Sequence, residues 1–168
     1  MTVSQGRAWK FDGDLSSDEL ISARHVFEFD EKMLRKHLLE EVRPEVARDA
    51  QPGDLLVCAG AFAHGSNHSH PFIAMKALGL GLLTRSLSRG PFRLAIFFGI
   101  PFLIVGDDVL QSIADDDRID VDFATGVITS EATGMRHQAE RLSPFLQEIV
   151  DAGGGLEHGR RQLAQRGG

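Results

Sequence analysis

The densest set of reactive side chains lies in one short stretch, Ala63-His64-Gly65-Ser66-Asn67-His68-Ser69-His70-Pro71. Ser66 and Ser69 offer hydroxyls, Asn67 both donors and an acceptor, and His64, His68 and His70 imidazoles that exchange protons near neutral pH. Gly65 lets a ligand approach the backbone closely. Three readings compete. A serine beside imidazoles can move protons in acid–base catalysis. Three imidazoles with an open position resemble a catalytic zinc shell, although no carboxylate lies close in sequence to orient them. A plain turn whose serine caps the following helix needs no function at all. A protease-like triad has no support, because Ser66 lies in no G-x-S-x-G elbow. Two further groups are candidates: Arg85, Ser86, Ser88, Arg89 and Arg93, whose forked guanidinium groups suit a carboxylate, and Ser16-Ser17-Asp18, which reads locally as an N-cap or Asx turn.

The elements around these residues alternate. Leu55-Leu56-Val57-Cys58-Ala59 is a continuous apolar run of the kind that forms a strand buried on both faces. The reactive loop follows it, and then Pro71 to Leu78 has proline at a helix start and Gly79 just past its end. Leu80 to Thr84 reads as a strand, Pro91 to Phe98 as a helix stopped by Gly99, and Phe102 to Val105 as a strand. Such alternation demands crossover connections, so the predicted class is α/β with parallel pairing. The reactive loop then sits at the carboxyl end of a strand and the amino end of a helix, where open α/β sheets bind ligands and where free amides attract anions. Earlier in the chain, short strands and a polar loop are expected before residue 30. A helix is predicted over Asp30 to Glu41 with Asp30 as N-cap, and a solvated connector over Arg43 to Pro52. Later, Val109 to Ala114 reads as a short helix, and Ile119 to Phe123 and Val127 to Thr129 as a hairpin. Thr133-Gly134 suggests a turn. Ser143-Pro144 opens a helix that stops at Gly153, and a last charged helix near Leu156 to Gln165 is expected to fray.

Composition bounds the function. The chain has 168 residues, enough for one core, and no linker or repeat, so one domain over 1–168 is expected. Net charge is −6, which offers no general field for nucleic acid or an anionic membrane. The N-terminus lacks an apolar leader, and the most apolar stretch is broken by Gly99 and Pro101, so no membrane span and a cytoplasmic location are expected. Cys58, the one cysteine, can neither form an internal disulfide nor hold an iron–sulfur cluster by itself. Any cluster would have to come from a partner.

Several segments together resemble the small subunit of 3-isopropylmalate dehydratase, equivalent to the swivelling C-terminal domain of aconitase. Gly6-Arg7-Ala8-Trp9-Lys10-Phe11 resembles the opening strand of that family. Ser16-Ser17-Asp18 through Ile21-Ser22-Ala23-Arg24 resembles its D-T-D-x-I-I-P-A-R segment. Gly99-Ile100-Pro101-Phe102-Leu103-Ile104-Val105 is similar to G-L-P-L-L-I-V, and Pro144-Phe145-Leu146-Gln147-Glu148-Ile149-Val150-Asp151-Ala152-Gly153-Gly154 to P-F-L-x-E-I-x-x-A-G-G. Gly53-Asp54-Leu55-Leu56-Val57, Lys76-Ala77-Leu78-Gly79 and Thr125-Gly126-Val127-Ile128 match as well.

The resemblance implies a swivelling β/β/α domain and a hydro-lyase that moves water across a carbon–carbon double bond of a hydroxy di- or tricarboxylic acid. It implies a partner, the large subunit, which carries a [4Fe–4S] cluster, so that this chain itself holds no metal. In the family loop G-S-S-R-E-H the first serine, as alkoxide, removes the substrate's α-proton and the arginine grips a carboxylate. Gly65, Ser66 and His70 match that loop. Asn67 replaces its second serine, His68 its arginine and Ser69 its glutamate; Ser16 replaces an aspartate. The implied base is Ser66, and the implied substrate-binding residues are Gly65, Asn67, His68, His70, Ser17, Asp18 and Arg89. In the family the segment after Ala23-Arg24, here His25-Val26-Phe27-Glu28-Phe29, lies near the pocket and helps set specificity. Because a histidine cannot mimic a forked guanidinium, the substrate is expected to differ from the family's own. The rival readings are a noncatalytic partner with the same fold, and a stand-alone module that binds a metal or an anion through the loop histidines.

Overall fold

The computed structural model describes residues 3–167. β1 (Val3–Phe11) leads through β2 (Leu15–Ser16) to α1 (Ser17–Leu20), a 3₁₀ turn (Ala23–His25), α2 (Glu31–Leu34) and α3 (Glu45–Asp49). β3 (Leu55–His64), α4 (His70–Leu78), β4 (Gly81–Ser86), α5 (Arg89–Phe98) and β5 (Phe102–Ile104) form the alternating half. α6 (Asp107–Ser112), β6 (Arg118–Asp122), β7 (Val127–Ser130), β8 (Arg136–Gln138), α7 (Pro144–Asp151) and α8 (Gly155–Arg166) complete the chain.

The strands form one mixed sheet in the order β5-β4-β3-β1-β6-β7-β8, with β2 added beside β3. β1, β3, β4 and β5 pair in parallel, while β1–β6, β6–β7 and β7–β8 are antiparallel. The parallel strands read as unbroken apolar runs because both of their faces are covered. Leu56, Cys58, Leu82 and Phe102 pack with Phe72, Met75 and Ala95 of α4 and α5 on one face. Leu55, Val57, Leu83 and Leu103 point the other way, toward Val109, Leu110, Val121 and Phe123. The helix ends follow the expected chemistry. Gly79 and Gly99 end α4 and α5 in the left-handed conformation, with φ of 71° and 70°. A Cβ on Gly99 would also run into the Gly153 backbone, so α5 is docked against the turn that joins α7 to α8.

Four expectations are corrected. The helix predicted over Asp30–Glu41 stops at Leu34, although Asp30 does cap it by accepting from Lys32 N at 2.7 Å. Leu39 takes φ of 57° and its N–H goes to the Leu20 carbonyl at 2.8 Å, which buries the adjacent Leu38 and Leu39 together. One face of a helix cannot do that, so packing overrides the periodicity. The connector at 43–52 contains α3, whose Val46 is fully buried. β3 runs past Ala59 to His64; its register against β4 shifts between Cys58 and Ala61, where Asp14 Oδ1 accepts from Ala61 N at 2.7 Å. The last helix is regular to Arg166.

Candidate functional site

Two devices aim the reactive loop. The bulged end of β3 pairs with β2, so Ser16 lies beside His64 and α1 starts beside the end of the strand. Ser16 caps α1 in a reciprocal box: its hydroxyl accepts from Glu19 N at 3.1 Å, and Glu19 Oε2 accepts from Ser16 N at 2.7 Å. Buried Ser17 donates from its hydroxyl to the Ala63 carbonyl at 3.0 Å, beneath the loop rather than into it. Ala63 at φ 56° and Gly65 at φ 90° then reverse the chain. An alanine in the left-handed region costs about 1–2 kcal/mol.

A cavity of about 170 Å³ opens there, lined by Asp18, Ser22, Ala23, Val26, Ser66, His68 and His70. Asp18, distant in sequence, is thus brought to the loop residues Ser66, His68 and His70. Gly65 and Ser17 support the loop. Asn67 does not line the cavity; its side chain lies against Gly90 at the start of α5, and Arg89 is exposed beside it. Ser69 precedes α4 but makes no side-chain cap bond, contrary to the capping reading. His64 is exposed outside the cavity, so the three loop imidazoles do not converge. A larger cavity of about 530 Å³ between α7, α8 and residues 124–142 shares no residue with the loop. Polar groups that line it pair with one another, His158 Nε2 with Glu148 Oε1 at 3.0 Å and Gln147 Nε2 donating to Asp151 Oδ1 at 3.0 Å.

The imidazoles form a relay. His70 is only 3% exposed; its Nε2 lies 3.0 Å from the Val26 carbonyl, which can only accept, so Nε2 carries the proton. In the neutral ring Nδ1 is then an acceptor, and it takes the hydrogen bond from His68 Nδ1 at 3.0 Å. That leaves His68 Nε2 as a buried lone pair without a hydrogen-bond partner, 3.7 Å from Asp18 Oδ1. Phe29 covers His70, with ring centroids 4.8 Å apart. Burial pushes the His68 pKa below its ordinary 6.5, His70 adds to the shift, and Asp18 only partly opposes it. His68 is therefore neutral at pH 7 and does not supply the positive charge expected from the arginine it replaces.

This has a consequence for stability. Folding lowers the His68 pKa, so its contribution is complete above the unfolded value of 6.5 and is lost as the pH falls through the folded value. Chemical denaturation from about pH 7.5 to about pH 5 is expected to show a shallower loss of stability in His68→Gln than in the native chain. Equal slopes would exclude His68 as a source of the acid sensitivity.

Sequence reasoning missed Ser22 and Ala23 as wall residues. The signal was their place one turn beyond Asp18, in the segment that also supplies Val26. A mixed sheet with α4 and α5 on one face and α6 on the other, and a ligand-facing loop between β3 and α4, is a swivelling-domain architecture of the aconitase type. No protein-family model matches the chain. Individual relatives do. It is 36% identical to the 3-isopropylmalate dehydratase small subunit of Methanosarcina mazei over 163 residues, 96% of this chain and 99% of that protein. It is 34% identical to the corresponding protein of Aquifex aeolicus, covering 96% and 97% of the two chains. The crystal structure of 3-isopropylmalate dehydratase from Methanocaldococcus jannaschii superposes with a TM-score of 0.87, at 26% identity and 98% coverage of both chains. The chain belongs to the family of 3-isopropylmalate dehydratase small subunits.

Proposed function

We propose that the chain acts as a single swivelling domain, the small subunit of a heteromeric hydro-lyase that hydrates and dehydrates a hydroxy di- or tricarboxylic acid, with Ser66 as the base. The observation that carries this reading is the cavity that Ser66, His68 and Asp18 line together, with His68 Nε2 buried behind it without a hydrogen-bond partner. The Ser66 oxygen takes the α-proton. His68 Nε2, a buried acceptor without a donor, suits a substrate hydroxyl, since burying it unpaired costs about 1–3 kcal/mol. The amides around Gly65 hold the polar end of the substrate, and Asn67, set against Gly90, steadies the loop that carries them. No guanidinium lines the cavity, which is why a substrate other than that of the named relatives is proposed.

The cavity is a half-site. Small-molecule pockets usually enclose about 300 Å³ or more, so about 170 Å³ open at one side calls for a second wall. Val26, which lines the cavity, and Phe29, which packs on His70, are exposed together with Phe27 between them, Phe27 by 93%, as an apolar surface for the large subunit. The [4Fe–4S] cluster belongs to that subunit in this proposal. The residues of this chain do not fit it: Cys58 is buried in the sheet, donates to the Gly13 carbonyl at 3.3 Å, and has its thiol pKa raised by burial. Among the described residues no helix is long and apolar enough to cross a membrane. The proposed location is the cytoplasm.

Co-expression with a cluster-bearing large subunit tests the reading. A stable pair is expected to add or remove water from one member of a panel of hydroxy di- and tricarboxylates, with the chain alone inactive. A pair that assembles but turns over none of them would support the noncatalytic reading instead.

A further inference from the structure

Away from the cavity, the segment that forms its wall is pinned by a second cluster. His25 Nε2 lies 2.6 Å from Glu40 Oε1 and His37 Nδ1 lies 2.7 Å from Glu40 Oε2. The two imidazoles stack with centroids 3.9 Å apart, and one donor atom from each of the three residues falls within 4.8 Å of the others. All three side chains are largely shielded, with 17%, 28% and 23% exposure for His25, His37 and Glu40. We propose that His25, His37 and Glu40 form a binding site for a divalent transition metal of the zinc type, which clasps the segment that walls the cavity.

The donor set supports this. Two imidazole nitrogens and one carboxylate, with a fourth position left to water, are a ligand set that Zn²⁺ accepts in tetrahedral geometry. Zinc–nitrogen and zinc–oxygen bonds of about 2.0–2.2 Å place such donors a little over 3 Å apart. Each nitrogen must therefore retreat from Glu40 by less than about 1 Å, and the stacked rings, now 22° from parallel, must tilt so that both in-plane lone pairs meet one ion. The protons balance without an outside acid or base. In the neutral rings the proton on His25 Nε2 moves to Nδ1 and that on His37 Nδ1 moves to Nε2, through water, and the freed lone pairs meet the metal. Glu40 holds its carboxylate between the two rings, one oxygen bonded to His25 Nε2 and the other to His37 Nδ1. The charges facing the cluster are Arg24, whose Nε is 3.7 Å from Glu40 Oε1, and Glu41, with which the Arg24 guanidinium pairs. Their sum with Glu40 is −1, which favours a cation.

The cluster also matters for its position. His25 immediately precedes Val26, whose side chain lines the cavity and whose carbonyl orients His70. A metal there would hold the wall segment to residues 37–40 by coordination bonds instead of two proton-dependent hydrogen bonds. This site departs from the sequence expectation of a metal-free chain. It does not depend on the hydro-lyase reading, because it needs neither substrate nor partner.

The test uses the full chain without a polyhistidine tag. Titration with Zn²⁺ against a chromophoric chelator is expected to show one tight site per chain. His37→Ala and Glu40→Gln should each weaken it by at least about tenfold, while His68→Ala leaves it unchanged. In the native chain the imidazole NMR signals of His25 and His37 should shift on adding Zn²⁺, a readout that needs no variant to fold. Absence of stoichiometric binding would overturn the proposal. So would binding that survives His37→Ala and disappears in His68→Ala, which would move the ion to the loop histidines.

Discussion

Ser66→Ala in the assembled enzyme is expected to lower turnover by about 10²–10⁴-fold while leaving association with the large subunit intact. The size follows from the role. A positioned proton-transfer group contributes a factor of that order, and the alanine keeps the backbone of the loop. Ser66 is exposed at the cavity and makes no hydrogen bond to the described residues, so its hydroxyl is not a structural tie. In this it differs from Ser17, whose hydroxyl is spent on the Ala63 carbonyl. A serine hydroxyl is a poor base at neutral pH and needs directed donors to hold its alkoxide. Neutral His68 gives little such help, so the loop amides carry the task. Activity retained in Ser66→Ala would transfer the base to another residue.

The largest expected loss of stability lies at Asp54. Its buried carboxylate accepts from Arg7 N at 3.0 Å, Trp9 Nε1 at 3.1 Å and Gln51 N at 3.0 Å, tying β1 to the entry of β3. Asp54→Ala leaves three donors without this acceptor, each costing about 1–3 kcal/mol, so a loss of at least about 3 kcal/mol is expected. Asp54→Asn keeps one acceptor oxygen and should lose less. The chain has one tryptophan, so Trp9 fluorescence reports unfolding in urea directly. A shift worth under about 1 kcal/mol at an unchanged denaturant slope would show that water replaces the carboxylate.

The alternating half of the fold was legible in the sequence because its signals are local. An apolar run covered on both faces, a proline at a helix start and a glycine at its end all appear within a few residues. The hairpin at Asp122–Gly126 was legible for the same reason: Asp122 Oδ1 accepts from Ala124 N at 3.0 Å and Gly126 takes φ of 79°. Residues 30–50 were not, because Leu39 is fixed by a hydrogen bond to Leu20 that no local pattern announces. The site divides in the same way. Ser66, His68 and His70 stood together in the chain, and the resemblance placed Asp18 with them. The relay that neutralises His68 depends on the Val26 carbonyl, which lies 44 positions from His70 and is set by the turn after α1. Arg89 was credited with a carboxylate from its charge, but its helix presents Gly90 to the loop and leaves the guanidinium at the surface.

In the proposed reaction this chain supplies the base that removes a substrate α-proton. The measurement that tests it most directly is exchange of that hydrogen with D₂O in the reconstituted pair, followed by NMR on the hydroxy acid. The native pair should incorporate deuterium at the α-carbon, and the Ser66→Ala pair should incorporate essentially none over the same period. Exchange at the native rate in the Ser66→Ala pair would contradict the account.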